Sequence, residues 1–107
     1  MPFHTARLSA EVIDLATIAV EKGNINSVTD AGVGAHIAYT GVKGGIFNVL
    51  INLNQIEDQK YIKDMILACK DLDQMSREKV DAVMEQVNKK IEQLMKKRAD
   101  GIDSNAE

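Results

Sequence analysis

An unbroken helical pattern over residues 59–98 limits the possible folds of this chain more than any other feature. Apolar side chains recur there every three or four residues, and neither Pro nor Gly interrupts them. Forty residues at a rise of about 1.5 Å each make a helix about 60 Å long, and this length exceeds the diameter of a small domain. In a chain of 107 residues, such a helix either breaks near residues 73–76 or projects into a partner.

The composition predicts a core of aliphatic side chains between closely packed helices. Hydrophobic residues make up 45% of the chain, but aromatic residues only 4%, and there is no Trp. Ile, Leu, Val, Met and Ala must therefore fill the core, which suits helix packing better than a β-sandwich. Cys69 has no second cysteine to pair with, so we expect a buried, reduced thiol.

The first helical segment follows Pro2 and stops before Gly23, which is a common order of residues at the two ends of a helix. It is apolar on most sides, which predicts more than one neighbouring helix. One apolar stripe along it comprises Leu8, Val12, Leu15, Ala16 and Ala19.

Residues 23–27 predict a turn, and the second helix should follow it. Ser27 and Asp30 have the spacing of a capping box, so this helix is expected to begin near Val28. Each Gly inside a helix costs about 1 kcal/mol relative to Ala. The glycines here therefore indicate close approach by a neighbouring helix or a ligand, or else a break in the helix at residues 44–45. They are Gly32, Gly34, Gly41, Gly44 and Gly45.

The apolar run at residues 46–53 is compatible with a helix or a β-strand, because its periodicity fits both. Asn48 and Asn52 share one face in either case. Two amides in an apolar run are costly to bury unless they bond to each other, to the backbone or to a ligand. They are therefore candidate ligand contacts, with mutual hydrogen bonding inside a bundle as the alternative.

Other kinds of site find little support. The net charge of -3 argues against general nucleic-acid binding, and the longest apolar run is too short to cross a bilayer. His4, His36 and Cys69 lack metal-ligand spacing, and neither a dinucleotide fingerprint nor a nucleophile elbow is present. We interpret His36 as a packing or surface residue. The apolar stripe of the last helix is either internal core or an oligomerisation seam.

Two motifs together resemble a known enzyme family. The first is G-N-x-N-S-x-x-D-x-G-V at residues 23–33, and the second is x-N-V-x-I-N-L at residues 47–53. This pair is similar to the formiminotetrahydrofolate cyclodeaminase and methenyltetrahydrofolate cyclohydrolase family, over about residues 2–65. The resemblance implies an all-α fold of long antiparallel helices, with residues 47–53 helical. It also implies that a partner chain or a missing half completes the helical bundle.

The resemblance implies a tetrahydrofolate derivative as substrate, with no separate cofactor and no metal. One family reaction closes 5-formiminotetrahydrofolate to 5,10-methenyltetrahydrofolate and releases ammonia; the other hydrolyses the methenyl form to 10-formyltetrahydrofolate. Family domains are about twice this length, so we expect the principal acid-base residue to lie outside this chain. The expected substrate contacts are Asn26, Ser27, Asp30, Asn48 and Asn52.

These expectations place the second half of such a domain at residues 2–98 and a disordered polar tail at 99–107. The expected partner is a second copy or a complementary N-terminal half, and the expected location is cytoplasmic. The alternative is a non-catalytic helical module, a remnant of the family that dimerises through its last helix.

Overall fold

The computed structural model describes residues 2–106, with side chains over 3–101. This part of the chain consists of α1 (Pro2–Lys22), α2 (Ile25–Asn52), a single 3-10 turn (Leu53–Gln55) and α3 (Gln59–Ala106), and it contains no strand. Each helix runs antiparallel to the one before it. The predicted all-α class is therefore confirmed, and so is the helical state of residues 47–52.

Helix α3 is continuous across residues 73–76, where the sequence allowed a break. Its 48 residues account for about 72 Å at 1.5 Å per residue, close to the 74 Å length of the molecule. Helices α1 and α2 pack against its first two thirds. All side chains from residue 92 to residue 101 are exposed, so this end of α3 projects beyond the other two helices.

Helix α3 also continues to Ala106, so residues 99–106 are helical and differ from the disordered tail that the sequence predicted. Gly101 favours a helix end, but it does not interrupt α3. Glu107 lies outside the described residues. The division of the chain at residue 98 stays a prediction.

The core is built from small and β-branched side chains where the three helices meet. Its larger cluster joins Val20 of α1, Val28 of α2 and Val83 of α3. A second cluster, nearer the opposite end of the bundle, joins Ala6, Val49 and Cys69 from the same helices. The stripe of α3 is therefore internal core at residues 80–87, whereas Ile66, Met75, Leu94 and Met95 of the same stripe are exposed.

The stripe that the sequence singled out on α1 mostly faces away from this core. Leu8, Val12 and Leu15 are 48%, 47% and 65% exposed, and of the five stripe residues only Ala16 is buried. The buried face of α1 is the one that carries its small side chains, with Ala6, Ala10, Ile13, Ala16 and Val20. Small side chains let α1 lie close to α2, which leaves the larger apolar row uncovered.

Candidate functional site

The turn between α1 and α2 differs from the predicted capping box. Helix α2 begins at Ile25, three residues before the predicted start, because Asn24 is its N-cap. The Asn24 side chain accepts a hydrogen bond of 3.0 Å from the Ser27 backbone N–H. Gly23 leaves room for this turn, since a Cβ there would lie 2.7 Å from the Ala19 carbonyl oxygen and 2.9 Å from Ser27 Cβ.

The cap leaves three predicted contact residues available to solvent at the start of α2. Asn26, Ser27 and Asp30 are all exposed, and their side chains form no hydrogen bond or ion pair within the described residues. Because Asn24 performs the capping, the Ser27 hydroxyl and the Asp30 carboxylate are free for another role. An amide, a hydroxyl and a carboxylate within five residues can orient a polar ring system through hydrogen bonds.

Asn48 and Asn52 lie near the other end of α2 and are also exposed. Solvent reaches both amides, so the alternative that they satisfy their hydrogen bonds inside the bundle is wrong, and their role as ligand contacts stays a prediction. Asn52 lies on the rim of an apolar cleft of about 200 Å³. The cleft is lined by Phe3, Val49, Asn52, Leu53, Ile56, Tyr61 and Met65.

The structure does not gather the five predicted contact residues into one pocket. Asp30 and Asn48 are 18 residues apart on one continuous helix, which is a separation of about 27 Å along its axis. A single small ring cannot contact both groups in one copy of the chain. The two groups therefore define a turn-end site at residues 26–30 and a cleft-end site at residues 48–52.

The glycines of α2 are explained by close packing at some positions and not at others. A Cβ on Gly32 would lie 3.2 Å from Val87 of α3, and a Cβ on Gly41 would lie 2.6 Å from the Ser9 hydroxyl of α1. Gly34 and Gly44 would meet nothing within 4 Å. The helix is also unbroken at residues 44–45, contrary to the alternative that the sequence left open.

A polar bridge between α2 and α3 escaped the sequence analysis. Asp73 accepts a hydrogen bond from the Tyr39 hydroxyl and forms ion pairs with Lys43 at 3.0 Å and Arg77 at 3.5 Å. Burial alone raises the pKa of Asp73, but the two hydrogen bonds and two positive charges outweigh it and lower that pKa. The same network raises the pKa of Arg77. No spacing rule relates residues 34 positions apart, so only the fold reveals this bridge.

Other candidate residues remain isolated. Within the described part of the chain, no three His, Cys, Asp or Glu side chains converge as metal ligands. His36 is exposed, and burial raises the pKa of the Cys69 thiol. None of the described helices is both long and apolar enough to cross a bilayer.

The fold and the exposed polar turn define an all-α protein of long antiparallel helices, with candidate ligand groups on its middle helix. The family model for formiminotransferase-cyclodeaminase matches residues 1–71, which include both motifs and both candidate sites. The chain belongs to this family, and it is accordingly related to folate one-carbon enzymes.

A curated relative is the methenyltetrahydrofolate cyclohydrolase of Methylorubrum extorquens, which is 38% identical over 66 residues. The aligned segment covers 62% of this chain and 32% of the relative. The chain thus spans about a third of the length of the relative that it matches.

Proposed function

We propose that this chain is part of a folate one-carbon enzyme and contributes residues that orient the substrate. The observation that supports this most directly is the family match over residues 1–71, which contains the turn-end site with its three free polar side chains. The name of the relative favours hydrolysis of 5,10-methenyltetrahydrofolate to 10-formyltetrahydrofolate as the first reaction to test. Closure of 5-formiminotetrahydrofolate, with release of ammonia, is the second.

Both reactions pass through a tetrahedral carbon between two folate nitrogens. In hydrolysis, water adds to this carbon, a base takes a water proton, and one carbon–nitrogen bond then breaks. In cyclodeamination, the second folate nitrogen, which does not carry the formimino group, adds to the formimino carbon. The bond from that carbon to the former imino nitrogen then breaks as an acid protonates the departing ammonia. Rigid positioning of the reacting atoms supplies much of the rate in either case. We assign positioning to Asn26, Ser27 and Asp30, and we expect the principal acid-base residue to lie outside this chain.

The separation of the two sites limits how one substrate can use them. A ligand bound at the turn-end site reaches Asn48 and Asn52 only if it is extended, or if they belong to another copy. We therefore propose that activity requires further helices, from a complementary half of the domain or from a second copy in a homodimer. The predicted cytoplasmic location fits this role and stays a prediction.

The alternative function is a non-catalytic helical module that retains only the scaffold of the family. It is favoured by the exposure of all five predicted contact residues and by the coverage of only 32% of the relative. Such a module would bind no folate in any combination with other chains.

Turnover measurements distinguish these two functions. The full chain is mixed with 5,10-methenyltetrahydrofolate, alone and together with the unmatched part of the relative, and the loss of near-ultraviolet absorbance is followed. Ammonia release from 5-formiminotetrahydrofolate is measured in parallel. Turnover only in the mixture supports the proposed enzyme, whereas inert mixtures that bind no folate support the module.

Variants then test the residue assignments in the active combination. Asp30→Ala and Asn52→Ala should each lower kcat/KM by about tenfold or more if they orient the substrate. Asp71→Ala and Asn88→Ala are matched controls, because both residues are exposed on α3 and should leave the kinetics unchanged. Equal kinetics in all four variants would remove the assigned roles.

A further inference from the structure

Two rows of residues, one on α1 and one on α2, lie side by side on one face of the α1–α2 pair. The α1 row runs through Leu8, Val12, Leu15 and Ala19, at alternating spacings of four and three. All four residues are exposed. The α2 row has the same kind of spacing and comprises Gly34, Ile37, Gly41 and Gly44, between the turn-end site and the cleft-end site. We call the surface between these rows the open groove.

Helix geometry places the open groove on the side of α2 away from α3. Gly32 lies against Val87 of α3. Gly41 follows nine residues later, and nine residues make two and a half helical turns. Gly41 therefore lies on the side of α2 opposite to Gly32. Gly41 meets Ser9 of α1, and Val12 lies one turn further along the same side of α1. The contact between Ser9 and Gly41 therefore forms the bottom of the open groove, between the α1 row and the α2 row.

The amount of exposed surface indicates that this chain packs against further protein. The chain exposes 7655 Å², whereas a compact monomer of 11.8 kDa exposes about 5,900 Å². The projecting end of α3 accounts for part of the excess. The open groove adds apolar side chains that compact monomers normally cover, since Leu15 and Ile37 are 65% and 67% exposed.

Gly34 and Gly44 supply an independent reason to expect a helix in the open groove. Gly weakens an exposed helix relative to Ala, and nothing within the described chain approaches either position closely enough to need it. Glycine in a helix row lets a second helix approach more closely than larger side chains allow. An approaching helix would therefore make use of both glycines.

We propose that the open groove receives an amphipathic helix from the part of the family domain that this chain does not match. About two thirds of the curated relative lies outside the aligned segment, which is enough for several helices. The incoming helix would place larger apolar side chains over Gly34 and Gly44 and smaller ones over Leu15. This inference rests on the proposed function, because it identifies the surface through which the complementary half joins the chain.

The test measures assembly without substrate. The full chain is mixed with the unmatched part of the Methylorubrum extorquens relative, and complex formation is followed by size-exclusion chromatography with light scattering. We expect a one-to-one complex that Leu15→Glu and Gly34→Leu each weaken at least tenfold. Leu67→Glu is the matched control, because Leu67 is 59% exposed on the far side of α3 and should leave binding unchanged.

Measurements on the variant chains without the partner show whether loss of binding results from unfolding of the variant. Leu15 and Gly34 both lie in the open groove, so the far-ultraviolet circular dichroism of each variant chain should match wild type, and neither Tm should fall. Absence of a complex would overturn the inference, as would a complex that both groove variants leave intact. So would a homodimer of the chain alone that Leu15→Glu dissociates, because a second copy would then occupy the groove. A complex without turnover would retain the inference and count against the proposed enzyme.

Discussion

The Tyr39 hydroxyl donates a hydrogen bond of 2.5 Å to the Asp73 carboxylate, joining the middle of α2 to the middle of α3. Lys43, one turn further along α2, pairs with the other oxygen of the same carboxylate. The bridge lies between the two core clusters, both of which contact Tyr39. It therefore links α2 to α3 through polar groups at the point where the two apolar clusters meet.

Removal of the Tyr39 hydroxyl should destabilise the fold modestly. In Tyr39→Phe the ring packing is kept and the hydrogen bond is lost, so we expect the free energy of unfolding to fall by about 1 kcal/mol. Urea denaturation followed by circular dichroism measures this change. Tyr61→Phe is the control, since Tyr61 is exposed and should show no difference. An equal loss in both variants would mean that the bridge contributes nothing specific.

The bridge also predicts a pH dependence of stability. The folded pKa of Asp73 is lowered, so its contribution is fully present above the unfolded value of about 3.9 and disappears as the pH falls through the folded value. The stability difference between wild type and Asp73→Asn should be constant from pH 7 to pH 5 and should shrink below pH 4. Urea unfolding at several pH values tests this, with Asp71→Asn as a variant outside the bridge. A difference that grows on acidification would contradict the assignment.

Much of the helical architecture could be predicted from the sequence because it depends on local signals. Gly23 ends α1, and Asp58 caps α3 within the predicted turn by accepting hydrogen bonds from the backbone N–H groups of Lys60 and Tyr61. The start of α2 was misplaced because Asn24 and Ser27 are both good capping residues. Their competition is decided by turn geometry, which sequence spacing does not contain.

The orientation of the helices and the layout of the candidate sites were harder to predict. Hydrophobicity alone selected the Leu8 and Leu15 row of α1 as the main stripe, but close helix packing favoured the row of small residues that includes Ala6 and Ala10. Similarly, the family resemblance pairs the two motifs, although one helix holds Asp30 and Asn48 far apart. Periodicity identifies the helix face on which a residue lies, but it does not show which other helix packs against that face.

The buried hydroxyl of Ser76 offers a stabilising substitution. Its Oγ has no hydrogen-bond partner among the described residues, and the residue is fully buried in α3. Ser76→Ala removes an unsatisfied polar group and improves helix propensity, so we expect a gain of about 1 kcal/mol. A higher Tm by differential scanning calorimetry would confirm it. A lower Tm would mean that the hydroxyl has a partner, such as a buried water.

Two glycines of α2 provide a matched pair for testing close approach. A Cβ on Gly41 would lie 2.6 Å from the Ser9 hydroxyl, whereas one on Gly44 would meet nothing. In the isolated chain, Gly44→Ala should gain up to about 1 kcal/mol from helix propensity, and Gly41→Ala should lose most or all of that gain. Thermal unfolding of both variants measures the contrast. Equal gains would show that α1 and α2 move apart easily at this contact.

The N-cap of α2 allows stability to be separated from ligand contact within one turn. The Asn24 side chain accepts the hydrogen bond from the Ser27 backbone, while the Asn26 side chain is exposed and caps nothing. Asn24→Ala should therefore lower the free energy of unfolding by about 1 kcal/mol, and Asn26→Ala should leave it unchanged within a few tenths. Urea denaturation of both variants checks this, with Asn88→Ala as the surface control. If Asn26→Ala then reduces turnover in the active combination without loss of stability, its effect is on the substrate. If it destabilises the fold as much as Asn24→Ala does, Asn26 supports the turn and its assignment as a substrate contact is wrong.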